Sequence, residues 1–318
     1  MVMDGSQPIP ESEIVPKQES RFGDVEKIIE AMSSGEIIRL GSIDEVCEDV
    51  PEHANKVDVM SVDHKNVNEV LGVEIQKGQD KLLCIFKPAS GENSDIRRKT
   101  MVDKFYPREC AAYLISDSFG LDVVPPTVIR EINGEIGSLQ LYLDHDYYQN
   151  FSKLMFADIP DGEADPTDIA ESGKDWQSIA LLDWILANCE RHEDNMMVRS
   201  GDPKTLAAID HGIIMSPPNY AEMSLRGPSL HLTYNGREET PKQIDIPEEL
   251  IALVEGAYAK KDELTAKLEA LNNFDKQEII SFWMRVEAVL KYKKFLSKMN
   301  YSAVAGVSWL GAEYRGEV

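Results

Sequence analysis

The sequence predicts an α+β chain in two lobes, the first small and strand-rich with one helix, the second mainly helical. Three observations predict it. Apolar runs of strand length cluster before residue 143 and enclose a single helical pattern. Helical periodicity fills most of the chain after residue 143, interrupted only by two short strand-like runs. The 318 residues are enough for two lobes, each with its own core, and no internal repeat points to a solenoid.

Residues 1–60 read as an acidic extension outside the main fold, partly disordered. Pro8, Pro10 and Pro16 among acids make the first 20 or so residues a disordered leader. A short helix is expected from Asp24 through Ala31, ended by Ser33-Ser34-Gly35. Residues 42–56 are acid-rich and read as irregular. The strand-rich lobe is placed at 61–143. Residues 69–75 and 81–87 suit two strands, joined as a hairpin by a short polar stretch with Gly78. A polar loop is expected over 89–104, then a helix over 108–115 closed by Gly120. Residues 123–130 are extended, with Pro125 and Pro126 inside them, and Asn133-Gly134 turns the chain into a strand over 136–143. The helical lobe is placed at 144–318. It opens with a buried helix over 176–186. Two short strands, 196–198 and 206–209, flank a Gly201-Asp202-Pro203 turn. Two long amphipathic helices are expected over 247–271 and 275–296.

At 42% hydrophobic and 28% charged, the composition is that of a soluble globular chain. A formal charge of −23 and a pI near 4.6 argue against a nucleic-acid binder and against an anionic membrane as main partner. No run of membrane-spanning length and no secretory pattern is visible, so membrane insertion is not expected. Cys47, Cys84, Cys110 and Cys189 form no CxxC pair and fit no zinc spacing. Reduced thiols in a cytoplasm are the expectation.

The chemistry concentrates in Asn188-Cys189-Glu190-Arg191-His192-Glu193-Asp194-Asn195, followed by Ala208-Ile209-Asp210-His211-Gly212. An acid precedes an Asn by five residues, and an Asp at the end of an apolar run follows the Asn by 15. A carboxylate at the end of a buried strand is costly unless it meets a cation. Mg²⁺ would supply one. Upstream, Lys87 ends an apolar strand and Glu109 lies 22 residues later on a helix. A lysine inside a lobe needs such an anion. Phosphoryl transfer asks for this set: a group that orients or deprotonates the attacking hydroxyl, and an Asn and an Asp that hold Mg²⁺ against nucleotide phosphates. His192 could donate to a phosphate or a carboxylate, or serve only as a loop histidine. Asp183, on the preceding helix, reads as a structural anchor for the loop. Arg97-Arg98-Lys99 is the main basic cluster, either a solvated loop or a contact for phosphate or an acidic substrate.

These residues resemble the phosphatidylinositol 3- and 4-kinase-like superfamily, in particular its small prokaryotic members. The pattern runs through Lys87-Pro88, Arg108 to Tyr113, Val124 to Val128, Gly137-Ser138-Leu139-Gln140, Asn188 to Asn195 and Ile209 to Gly212, covering roughly 65–215 in order. The resemblance implies a two-lobed protein-kinase-like fold with ATP between the lobes and Mg²⁺ as cofactor. It implies that Lys87 contacts phosphates, Glu109 orients Lys87, and Asn195 and Asp210 bind Mg²⁺. The strand end at Gln140 and Leu141 would lead into a linker that contacts adenine. Glu190, His192, Asn195 and Asp210 are the candidate catalytic residues. The glycine-rich phosphate loop is not recognisable, and residues 64–68, where it should lie, lack glycine.

Glu190 departs from the family, which carries Asp there. One extra methylene shifts the carboxylate by ~1.5 Å, and a displacement of that order can cost ~10²-fold in rate. Three readings are open: a base on an adjusted backbone, a reaction that needs no strong base, or nucleotide binding without turnover. The sequence leads to transfer of the γ-phosphoryl group of ATP to a hydroxyl of a protein or small soluble acceptor. A nucleotide-binding pseudokinase and adenylyl transfer on the same fold are the alternatives.

Overall fold

The computed structural model describes residues 20–47, 68–144, 148–155, 157–160, 162–188, 190–215 and 244–295. Helix α1 (Val25–Ser34) begins where the Asp24 side chain accepts the Lys27 N–H, and its last turn closes with the Gly35 N–H on the Ala31 carbonyl. Strand β1 (Glu36–Gly41) comes next, then a short helix α2 (Ile43–Cys47). Strands β2 (Leu71–Lys77) and β3 (Asp80–Pro88) form the expected hairpin, with Gly78 at φ +63° in its turn. Strands β4 (Thr127–Ile132) and β5 (Glu135–Leu141) form a second hairpin through Asn133 and Gly134, both at positive φ. The five strands make one antiparallel sheet in the order β1-β2-β3-β5-β4. Met32 of α1 joins Val73, Ile75, Phe86 and Leu139 in its core.

Residues 25–41 are therefore part of the first lobe, not an extension outside it. The reason is tertiary. Strand β1 gains its ladder from the open edge of β2, and Arg130 of β4 donates to the carbonyls of Met32 and Gly35. An acid-rich neighbourhood concealed both contacts. The leader over residues 1–19 and the stretch 48–67 lie outside the described residues, and with them most of the expected phosphate-loop position. The loop expected over 89–104 is also partly helical. A 3-10 turn (Ala89–Gly91) leads to α3 (Ser94–Thr100), capped by Asn93, whose side chain accepts from the Asp95 and Ile96 N–H groups.

Helix α4 (Tyr106–Ser118) lies between the lobes. It packs on β4 and β5, yet its Ala111, Ala112 and Ile115 belong to the core of the second lobe. That lobe begins with β6 (Tyr148–Asn150), α5 (Phe151–Met155) and α6 (Pro166–Glu171). The central helix α7 (Lys174–Leu186) is buried on nearly every side, as its apolar run requires. Strands β7 (Met196–Arg199) and β8 (Asp202–Ala208) pair antiparallel and join β6 in a three-stranded sheet. Strand β9 (Ile244–Asp245) precedes α8 (Glu248–Tyr258), α9 (Lys261–Ala270) and α10 (Lys276–Tyr292), and β10 (Lys294–Phe295) returns to pair with β9. The single helix expected over 247–271 is two, because Lys260 leaves helical geometry at φ −108°, ψ 24°. Trp176, Trp184, Phe282 and Val286 are among the side chains that fill the core. Cys84 and Cys110 are free and buried, and burial pushes both thiols up to about 12. Among the described residues no helix is long and apolar enough to cross a membrane.

A short N-terminal strap ties the lobes together. Arg21 donates to both oxygens of Asp175 in α7, to Asp122 and to the Leu206 carbonyl of β8. The next residue, Phe22, packs on the cluster of Leu143, Tyr148, Met197 and Ala207. From there α1 runs onto the first-lobe sheet. Arg21→Ala is expected to destabilise the chain by about 2–3 kcal/mol, because Asp175 loses its cation in a mostly buried position. Urea denaturation would read this directly, and a change below about 0.5 kcal/mol would mean the strap carries no load.

Candidate active site

Strand β3 delivers Lys87 to Glu109 and Asp210, and β5 fixes its backbone. Lys87 pairs with Ser138, and at Gly137 an added Cβ would sit 2.3 Å from the Lys87 carbonyl oxygen. Only glycine allows this approach. The Lys87 Nζ donates to Glu109 Oε1 at 2.6 Å and to Asp210 Oδ1 at 2.8 Å. Glu109 is buried on α4, and its Oε2 accepts the His211 N–H at 2.8 Å. Burial opposes the Lys87 ammonium, but the Asp210 and Glu109 carboxylates outweigh it and raise its pKa. Burial raises that of Glu109, against the pull of Lys87. The Lys87 charge draws Asp210 well below the usual carboxylate range. Three groups therefore share one site: one cation, one deeply buried carboxylate, and Asp210, whose side chain is 43% exposed.

Asp210 sits at φ +57°, in the left-handed region where Asp is one of the few tolerated side chains. Ladder pairing ends at Met196 with Ala208, and the Ile209 N–H continues it onto the Asn195 carbonyl at 3.1 Å. Asn195 and Asp210 thus leave the same end of the β7–β8 hairpin. The Asn195 Nδ2 donates to the Glu190 carbonyl at 3.0 Å, which assigns its other amide atom, an oxygen, away from that bond. One neutral amide oxygen and one partly exposed carboxylate are hard oxygen donors of the kind Mg²⁺ accepts alongside phosphate and water. The donor set fits the cation the sequence implies.

Arg191 builds the loop. It is fully buried and donates to both oxygens of Asp183 at 3.0 and 3.2 Å, to the Asn195 carbonyl, and to the Ile209 carbonyl at 2.7 Å. Its Nη2 lies 2.7 Å from His211 Nε2. A guanidinium only donates, so His211 must accept there and is neutral with its proton on Nδ1. Burial, with Arg191 beside it, holds the His211 pKa well below the usual value. Asp183 also accepts from Asn188 Nδ2 at 2.8 Å, and Asn188 Oδ1 accepts the Glu190 N–H. Asp183 is the loop anchor that the sequence leads one to expect. Arg191 is the residue sequence reasoning missed. Its signal was a charged side chain between two candidate acids with no role of its own.

The remaining candidates lie around this centre. Glu190 is exposed, and its carbonyl accepts the His192 N–H as well as Asn195. His192 is part-exposed, with Nδ1 accepting the Asp194 N–H at 3.3 Å. Gln140 is turned into the sheet, where its Nε2 donates to Thr127 Oγ1 at 2.9 Å. Leu141 packs partly buried against the first-lobe core. Beyond it the Tyr142 N–H donates to the Leu83 carbonyl, and Leu143 joins Met197, Ala207 and Ile209 in one hydrophobic cluster. The basic trio sits on α3, where Arg97 pairs with Glu92 and Arg98 with Asp95.

This is a two-lobed protein-kinase-like fold. A solved structure of Hydra Fam20 with sugar superposes at a TM-score of 0.50, covering 84% of this chain and 87% of that one, at 12% identity. At that identity the likeness concerns the fold alone. In sequence, the model of the phosphatidylinositol 3- and 4-kinase family matches residues 174–238. Phosphatidylinositol 4-kinase gamma 4 of Oryza sativa subsp. japonica is 31% identical over 143 residues, 39% of this chain and 23% of that protein. Protein Rv2133c of Mycobacterium tuberculosis is 40% identical over 68 residues, 21% of this chain and 23% of that protein. The chain thus spans about a quarter of the length of these curated relatives. The segment similar to the phosphatidylinositol 3- and 4-kinase family carries Asp183, Glu190, Asn195 and Asp210.

Proposed function

We propose that this protein is an ATP- and Mg²⁺-dependent phosphotransferase that moves the γ-phosphoryl group to a hydroxyl of a protein or small soluble acceptor. The observation that carries the reading is the Lys87 ammonium held between Glu109 and Asp210. Glu109 cannot leave, since it also holds the His211 N–H, whereas Asp210 is open to exchange its lysine contact for a metal. Bound Mg²⁺ would neutralise phosphate charge and align the transferred group. Asn195 and Asp210 would supply its protein oxygens. Lys87, freed from Asp210, would turn to the nucleotide phosphates while Glu109 keeps it in place. Glu190 would orient the acceptor hydroxyl and take its proton, and His192 would donate to a phosphate oxygen from its Nε2 side. Leu141 and the linker beyond Gln140 would flank adenine. A net charge of −23 disfavours an anionic lipid surface as the source of the hydroxyl. A cytoplasmic location fits the reduced, buried thiols.

The test is incubation of the purified full chain with Mg·ATP and resolution of the nucleotide products, with Asp210→Asn as control. ADP from the wild type alone supports the proposal. AMP with pyrophosphate would replace it by adenylyl transfer. Bound ATP without product would make the protein a pseudokinase. With ADP formed, Glu190→Ala should abolish turnover and Glu190→Asp should raise it if residue 190 carries the base.

A further inference from the structure

Arg108 stands beside Glu109 on α4 and is 1% exposed. A guanidinium does not shed its proton, so burial demands partners. Glu278, in the first turn of α10, accepts from Arg108 Nη2 at 2.7 Å. The Ile214 carbonyl accepts from Nη1. The Phe274 ring lies 4.9 Å from the guanidinium carbon. Glu278 is itself fixed in advance. Its Oε2 accepts the Asp275 N–H at 2.9 Å while Asp275 accepts the Glu278 N–H at 2.8 Å, a capping box that aims the carboxylate at α4.

Two consecutive residues of α4 therefore grip the backbone just after Asp210. Glu109 takes the His211 N–H and Arg108 gives to the Ile214 carbonyl. Between these points, an added Cβ on Gly212 would approach Phe105 to 3.0 Å, so the segment is packed as well as bonded. Beyond them the Met215 N–H reaches the Leu186 carbonyl of α7 at 2.7 Å. Ala111, Ala112 and Ile115 pack α4 on the second-lobe core, and Arg108 adds a buried ion pair to that packing.

We infer that Arg108, acting through Glu278 and the Ile214 carbonyl, is a positioning residue that locks α4 to the second lobe. It thereby keeps both the Lys87–Glu109 pair and the Asp210 carboxylate assembled in the isolated chain. Its effect on metal rests on the reading of Asp210 as a Mg²⁺ ligand; its effect on backbone order does not.

Two measurements on the full chain test this. Amide hydrogen exchange compares residues 209–215 with residues 176–184 of α7 in the wild type, Arg108→Met, Arg108→Lys and Glu278→Gln. A Mg²⁺ titration follows binding of a fluorescent, non-hydrolysable ATP analogue. In Arg108→Met, residues 209–215 should exchange about tenfold faster or more while 176–184 keep their protection. Half-maximal analogue binding should need about tenfold more Mg²⁺. Glu278→Gln, which keeps the shape of the side chain, should fall between wild type and Arg108→Met. Unchanged exchange at 209–215, or equal acceleration in both segments, overturns the inference. If Arg108→Met does not fold, Glu278→Gln and Arg108→Lys decide by the same comparison. If the wild type binds no analogue with Mg²⁺, the nucleotide reading fails, and the exchange data still judge the lock.

Discussion

Asp210→Asn should lower kcat/KM for ATP consumption by about 10³-fold or more while the protein stays folded. On the proposed reading this substitution would remove one charge facing the reacting phosphates and one metal ligand, and losses of that kind have effects of this order. The fold should survive because Asn tolerates the left-handed backbone at residue 210 and Lys87 keeps Glu109. Two electrostatic changes oppose each other. Lys87 loses one anion, and buried Glu109 loses a like-charged neighbour. Stability should therefore move by no more than about 1 kcal/mol. Steady-state kinetics beside a urea titration would separate the two quantities. Full activity in Asp210→Asn would remove the central carboxylate from the mechanism. Equal loss of activity and of fold would make Asp210 structural.

The second large effect concerns stability. Arg191→Met should destabilise the second lobe by about 3–5 kcal/mol, since it strands the Asp183 carboxylate in a fully buried position with only Asn188 as partner among the described residues. Four acceptors lose the Arg191 donor at once: Asp183, the Asn195 and Ile209 carbonyls, and His211 Nε2. Arg191→Lys should not rescue it, because one ammonium cannot reproduce the planar fork. Asp183→Asn with Arg191→Met should recover part of the loss by removing the stranded charge. Denaturant midpoints of the three variants test this, and a loss below about 1 kcal/mol in Arg191→Met would show that the pair is not what holds the loop.

Much of this molecule was legible before its structure. Local alternation and turn residues marked β2, β3, β4 and β5, because an antiparallel hairpin is specified by residues close in sequence. Helix α7 was legible from an unbroken apolar run, and residue type and spacing singled out Lys87, Glu190, Asn195 and Asp210 as candidates. What stayed hidden depends on pairs far apart in the chain. Strand β1 exists because β2 has an open edge, and Arg21 is ordered by Asp175, 154 residues away. The ion pair of Arg108 with Glu278 spans 170 residues, and no local pattern announces it.

By itself, then, the sequence determined the two-lobed α+β class, the hairpins and the residue types on which the proposed phosphoryl transfer rests. These rest on periodicity and on chemistry that each side chain carries alone. Only the tertiary structure decided that Lys87 meets Glu109 and Asp210 together, that Arg191 is the keystone of the loop, and that α4 is fixed to the second lobe. Each of these depends on burying a charge, and a buried charge is stable only where the fold brings its counterion from a distant part of the chain.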